Sequence, residues 1–263
     1  MSAPVVVSPS AKHTATVIWL HGLGDNGSGW SDVAHQLNLP WVKFLLPNAP
    51  SRPVTINMGA SMPAWADIKG LSPDAPEDEE GTMKTRKYIH DLIAEEGKNG
   101  IPADRIMVGG FSQGAAMACF AVLTHEARLA GCFVLSGYLA MRTKIAKLVT
   151  EQGRATPFFQ AHGVQDPVVP FMFGQLSSNV IQSLGVNMNF KQYNMDHSSC
   201  MEELRDLKDF ISSHLPDTPP PIPDDLDSLS AKELKQILKA HNIDSSDCFE
   251  KEDLIRKVQS CRK

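Results

Sequence analysis

Short apolar runs recur along the first 216 positions, and each is followed by a longer stretch whose apolar residues return every three or four positions. The short runs predict strands at 16–20, 42–46, 105–109, 131–135, 157–161 and 187–193. The longer stretches predict helices at 28–37, 81–98, 113–125, 144–151, 172–184 and 199–214. Strand and helix alternating at this spacing predict an α/β domain, with a mostly parallel central sheet and helices on both faces. Ligands of such sheets bind beyond the carboxyl ends of the strands. No internal repeat is visible.

The pattern changes near residue 216. "PDTPPPIPDD" (216–225) is proline-rich and acidic and reads as a stiff, extended linker. Beyond it, Ser230 and Glu233 form a capping box that opens a helix to about Ala240, and a second helix is expected at 251–259. Leu234, Ile237, Leu238, Leu254, Ile255 and Val258 can pair into a small core. The expected organisation is a large α/β domain at 1–216, a linker at 217–225 and a helical module at 226–263.

Composition narrows the function classes. The 263 residues are enough for one large domain plus a small extra piece. A net charge of -5 disfavours a dedicated nucleic-acid binder. Five cysteines without C-x-x-C or zinc spacing suggest reduced thiols in the cytoplasm, and no metal or cofactor is expected. The start "MSAPVVVSPSAKH" lacks the basic and apolar regions of a signal peptide, position 2 is Ser2 rather than glycine, and no run reaches membrane-spanning length. Any membrane contact is expected to be peripheral.

The chemistry centres on "GFSQG" at 110–114, which lies where an apolar strand meets a helix of small residues. That is the context of a G-x-S-x-G elbow, with Ser112 as nucleophile. A serine hydroxyl needs a base. With this elbow the chain order is serine, acid, histidine, so the base follows residue 112. His125 falls in the elbow helix, and His214 ends the domain's last helix and reads as a cap. His162 follows one strand and His197 the last strand; the loop position and the Ser198-Ser199 turn favour His197 as base. Asp166, held by Pro167, is the expected acid, with His162 a structural residue of the same loop. Asp196 adjoins His197 and should point away into solvent. The backbone N–H groups of Gln113 and Leu23 are the expected oxyanion donors, and His21 is expected to orient the loop that carries Leu23. A dinucleotide reading of Gly22, Gly24 and Gly27 lacks a suitable acidic partner.

The segments "VIWLHGLGDNGSGW", "LPNAPSRPVTINMGASMPAWADIKGLSPDAPEDEEG", "NGIPADRIMVGGFSQGAAM", "AHGVQDPVVPFMFG" and "MDHSSCMEELRDLKDFI" together resemble the acyl-protein thioesterase/lysophospholipase family of small serine hydrolases, over about 13–216. The resemblance implies the α/β-hydrolase fold and agrees with Ser112, Asp166 and His197 as triad and Leu23 and Gln113 as oxyanion donors. It implies removal of long acyl chains, such as palmitoyl, from protein cysteines, with S-acylated proteins or lysophospholipids as substrates. It also implies an acyl channel walled by Ile68, Leu71, Tyr138, Val168 and Phe171. Three positions depart from the family pattern: Tyr138 replaces tryptophan, and Ala115 and Asn194 replace glycines. The start also carries no cysteine that could be acylated as a tether.

The tail resembles SAP-like helix-extended-helix modules, one variant of which carries C-x-x-C; here the two positions are Ser245 and Cys248, which removes a redox role. Residues 224–263 hold 8 Lys and Arg against 9 Asp and Glu, which disfavours phosphate contacts. The tail is therefore expected to bind an unknown protein partner. Two alternatives stay open: a carboxylesterase or lysophospholipase with the same site, and an interaction protein that acts through its tail.

Overall fold

The computed structural model describes every residue except 1, 71–74, 218–221, 242, 249 and 262–263. Two compact units are present, Met1–Pro216 and Asp217–Lys263.

The first unit is built on strands β1 (Val5–Val7), β2 (Ala15–Leu20), β3 (Val42–Leu46), β4 (Ser51–Val54), β5 (Ala60–Pro63), β6 (Ile106–Phe111), β7 (Gly131–Leu135), β8 (Phe158–Gly163) and β9 (Met188–Tyr193). Its helices are α1 (Ser31–Leu37), α2 (Glu79–Lys98), α3 (Gln113–Leu123), α4 (Ile145–Leu148), α5 (Glu151–Ala155), α6 (Phe171–Ser183) and α7 (Met201–His214). A seven-stranded sheet runs β1-β3-β2-β6-β7-β8-β9, and β4 pairs with β5 in a separate hairpin. All neighbours in the large sheet are parallel except β1, which runs antiparallel to β3.

Side chains alternate between two apolar layers, as the strand period requires. Ile18, Leu20, Val108 and Val134 join α2 and α3 on one face; Val17, Trp19, Phe133 and Leu135 join α1 and α7 on the other. α3 is buried along its whole length, which explains its run of alanines. The order reverses beside β2: the chain goes first to β3 on one side and later to β6 on the other. The register sets Leu20 opposite Gly110. The loops leaving β2 and β6 therefore share the crevice where such sheets bind ligands.

The structure differs from the periodicity in four places. β1 is only three residues long, too short to show an alternation. The β4–β5 hairpin carries Pro53 and Pro63 and so lacks a strand signature. The helix expected at 144–151 is two short helices, because Val149 is extended and Thr150 caps the second one through Gly153 N–H at 2.8 Å. α3 stops at Leu123, where the Thr124 hydroxyl donates to the Phe120 carbonyl at 2.8 Å.

The second unit pairs α8 (Ala231–Ala240) with α9 (Lys251–Ser260). Ser230 and Glu233 cap α8 reciprocally, and Glu250 and Asp253 do the same for α9. Leu226, Leu234, Leu238, Cys248, Leu254 and Val258 form its core, with Ile237 and Ile255 packed at the edge. Among the described residues no helix is long and apolar enough to cross a membrane.

Glu203, on the inner face of α7, is fully buried, and neither carboxyl oxygen has a hydrogen-bond partner among the described residues. Burial pushes its pKa up to about 8. Its unfolded counterpart titrates near ~4.3, so the destabilising cost is absent below that pH, grows as pH rises, and is complete above about 8. Glu203→Gln should therefore raise the melting temperature by a few degrees at about pH 9, with the gain shrinking toward about pH 5; scanning calorimetry across pH checks this.

Candidate active site

Ser112 sits between β6 and α3 with φ 54° and ψ -121°, a sparsely populated conformation for a residue with a side chain. Its N–H donates to the Leu135 carbonyl at 2.9 Å, which ties the turn to β7. Gly110 and Gly114 make the turn possible. A Cβ on Gly110 would overlap the Leu20 carbonyl, and one on Gly114 would overlap the carbonyls of Leu20 and His21. Gly137 lies against Ala115 and leaves room for the methyl group that replaces a glycine there.

Three loops bring the expected acid, base and nucleophile together. His197, in the loop after β9, donates from Nδ1 to Asp166 Oδ2 at 2.7 Å. Its Nε2 is 2.9 Å from Ser112 Oγ, which donates to it while Nδ1 carries the ring proton. The Asp166 side chain is fully enclosed and its Oδ1 accepts from the N–H groups of Val168 and Val169 at 2.9 and 2.8 Å. The acid and base loops are joined by Val164 N–H to Tyr193 O at 2.9 Å and Gln165 N–H to Met195 O at 3.2 Å. Phe111 lies against the His197 ring, with centroids 4.7 Å apart. Asp196 is exposed. His214 Nδ1 donates to the Phe210 carbonyl at 2.9 Å, at the end of α7.

The loop after β2 is held from both sides. His21 donates from Nδ1 to Gly22 O at 2.7 Å, and its Nε2 accepts from Ala49 N–H at 3.1 Å. Burial, the leading cause, lowers its pKa, so the ring is neutral and serves as a brace. Trp65 Nε1–H donates to the His21 carbonyl at 2.8 Å, and Gly24 N–H to Pro63 O at 2.8 Å. Leu23 lies within this braced loop, beside the turn. Gln113 opens α3, so its backbone N–H has no acceptor inside the helix. The Gln113 side chain has a role that motif reading does not reveal. Its Oε1 accepts from Trp65 N–H at 2.9 Å and its Nε2 donates to Ala66 O at 2.7 Å, clamping the segment that leads to Ile68.

A cavity of about 170 Å³ adjoins Gln113 and continues along Ile68, Met117, Tyr138, Val169 and Phe173. Ile68 and Tyr138 were among the expected channel residues; Leu71 lies outside the described residues. Val168 and Phe171 do not line the cavity. The turn capped by Asp166 Oδ1 leaves Val168 48% exposed and buries its neighbour Val169 to 4%. Phe171 instead lies near the rings of His162 and Phe190, with centroids 6.0 and 5.8 Å apart. Phe173 and Leu176 take the wall position from one face of α6, a helical spacing legible in the sequence though not assigned to the channel. Burial, with the Glu77 carboxylate adding to it, pushes the Tyr138 phenol up to about 12.

The arrangement can carry acyl transfer: a hydroxyl hydrogen-bonded to an imidazole, a carboxylate that fixes the imidazole's tautomer, and an apolar cavity that begins at Gln113, the residue after the serine. Its weak point is the approach of α3 to β2. Gly114→Ala should lower stability by about 1–3 kcal/mol, and small-ester turnover should fall with it, because the new methyl group displaces the His21–Gly22 backbone. Thermal unfolding and kcat measured on the same preparation check both effects.

Comparison with known proteins agrees with this fold. A family model described as Phospholipase/Carboxylesterase matches residues 1–215. Acyl-protein thioesterase 1 of Neurospora crassa is 46% identical over 225 residues, covering 81% of this chain and 92% of that protein. Acyl-protein thioesterase 1 of Gibberella zeae is 42% identical, covering 81% and 96%. The crystal structure of Zea mays acyl-protein thioesterase 2 superposes with a TM-score of 0.75 at 33% identity, covering 82% of this chain and all of that one. The tail matches a different model, an E3 ubiquitin-protein ligase rififylin-like domain, at residues 223–261. The SAP-like expectation is not shown by this match: two short capped helices joined through leucines are a pattern common to many small helical modules. From elbow to cavity and over most of its length, the chain belongs to the phospholipase/carboxylesterase family of α/β-hydrolases.

Proposed function

We propose that the protein is a serine hydrolase that removes long acyl chains, palmitoyl foremost, from protein cysteines through an acyl-enzyme on Ser112. The observation that carries this reading is the hydrogen-bonded line Ser112–His197–Asp166, with an apolar cavity that starts at the neighbouring Gln113. The relatives named acyl-protein thioesterases support it.

In this mechanism Ser112 Oγ attacks the thioester carbonyl while His197 Nε2 takes its proton. Asp166 stabilises the imidazolium and keeps its own charge. The N–H groups of Leu23 and Gln113 receive the oxyanion; one such donor is worth about 2.7–4 kcal/mol. The tetrahedral intermediate collapses, the C–S bond breaks, and the cysteine sulfur leaves as a thiol after the His197 imidazolium returns the proton to it. A thiol has a pKa near ~8.5, so it needs little acid assistance. Water activated by His197 then releases the fatty acid and restores Ser112. The same groups would cleave oxygen esters, so a carboxylesterase or lysophospholipase activity is the second reading, favoured by the family's description.

The reading places the enzyme in the cytoplasm, touching membranes peripherally where acylated proteins reside. The unpaired state of all five cysteines is in keeping with a reducing compartment. The helical tail would bind a protein partner.

Wild type and Ser112→Ala should be compared on a palmitoyl-cysteine peptide and a medium-chain oxygen ester. Wild type should cleave the peptide and the variant neither substrate; cleavage of the oxygen ester alone would overturn the thioesterase assignment. Phe173→Trp should fill part of the cavity and lower the ratio of long-chain to short-chain kcat/KM by about tenfold or more. A series of acyl esters of increasing length measures that ratio.

A further inference from the structure

Asp166 Oδ2 has an imidazole on two sides. His197 Nδ1 is 2.7 Å away, and His162 Nε2 is 3.5 Å away. The second contact is too long for a hydrogen bond, and the mechanism above makes no use of it. Both His162 and Asp166 side chains are fully buried there.

The His162 ring is held by its surroundings. Its Nε2–H donates to the Val169 carbonyl at 2.8 Å, so the proton resides on Nε2. Val169 N–H donates in turn to Asp166 Oδ1 at 2.8 Å. His162, Val169 and Asp166 thus close a ring of contacts. On the far side, Nδ1 is buried without a hydrogen-bond partner among the described residues. It lies against Gly174, where a Cβ would overlap it. Protonation would place a second N–H in that spot with no acceptor, which is costly. Burial, the leading cause, correspondingly lowers the ring's pKa, against smaller opposing effects of the Val169 carbonyl and Asp166. The charged or titratable groups that act on the ring are Asp166 and His197. His162 is therefore a neutral, fixed N–H dipole facing the buried oxygen that serves His197. Gly174 belongs to α6, whose Phe173 and Leu176 wall the cavity, so the ring stands between the cavity wall and the acid.

We propose that His162 is a positioning residue: through Val169 and its own N–H it fixes the orientation and charge of the Asp166 carboxylate that holds His197. This rests on the Ser112–His197–Asp166 reading. Removing the ring would let Asp166 turn and would leave its charge to act on His197 alone, which favours the imidazolium.

The test is kcat, KM and the pH profile of kcat/KM on a small soluble ester for wild type, His162→Leu, His162→Gln and Gly174→Ala. His162→Leu should lower kcat about 10- to 100-fold, as small misplacements of catalytic groups do, with KM nearly constant. Its acid limb should move up by about 0.5 pH unit. His162→Gln, whose amide can donate to Val169 O, should recover most of both. Gly174→Ala displaces the ring without removing it, and should lower kcat and shift the limb in the same direction; it carries the test alone if His162→Leu does not fold. An unchanged kcat and limb in a folded variant would overturn the proposal, as would a glutamine variant no better than leucine. If wild type itself hydrolyses no ester, the serine-hydrolase reading fails and this inference with it; an active wild type matched by His162→Leu sinks the inference alone.

Discussion

The close approach of α3 to the end of β2 is the constraint on which the site depends. Ser112 turns the chain from strand to helix with φ at 54°, and that conformation is held only because Gly110 and Gly114 let the Leu20 and His21 carbonyls lie against the turn. The cost of a strained non-glycine residue is of order 1–3 kcal/mol. It is offset by burying all of α3 and by the bond from Ser112 N–H to Leu135 O. The same approach sets the β2 loop beside the first free N–H of the helix. Backbone packing alone, with no dedicated side chain, thus brings the β2 loop to the start of α3.

The remaining groups reach this point through loops that support one another. Asp166 caps its own turn with one oxygen and faces His197 with the other. Gly163 lets the base loop lie close, since a Cβ there would overlap the carbonyls of Met195 and Asp196. Gln113 presents a backbone N–H beside Ser112, while its side chain clamps residues 65 and 66. Ser112, Asp166, His197 and the cavity wall are therefore not independent. A change in α6 is felt at Asp166 through His162, and a change in the Trp65 segment is felt at the helix start through Gln113.

The second unit obeys a different physical logic. Its core is a few leucines, one valine and Cys248, and two reciprocal caps stabilise helices of ten residues each. Short helices of this kind draw their stability from packing more than from propensity. The pairing explains how the module holds together. Its likeness to a rififylin-like domain came from comparison of residues 223–261 as a whole.

Much of the first unit was legible from local pattern. The inner parallel strands β2, β6 and β7 are near-continuous apolar runs because both faces of the sheet are covered there, and such runs mark themselves in the sequence. Ser112 stood out as the candidate nucleophile because a G-x-S-x-G between an apolar strand and a small-residue helix is the context of a nucleophile elbow, and chain order then narrowed the candidate acid and base to Asp166 and His197. The sequence by itself therefore determined which elements form and which residue types are available for chemistry. It did not reveal β1 or the β4–β5 hairpin, whose pairing partners rather than their own residues make them strands. It did not show that Val169 faces the cavity and Val168 solvent, because a turn capped by one carboxylate oxygen decides that. Nor did it show that Gln113 clamps a distant segment or that His162 faces Asp166. Those outcomes depend on atoms far apart in the chain meeting at hydrogen-bond distance, and only the packed tertiary structure, where a glycine or a carbonyl occupies the neighbouring space, sets those distances.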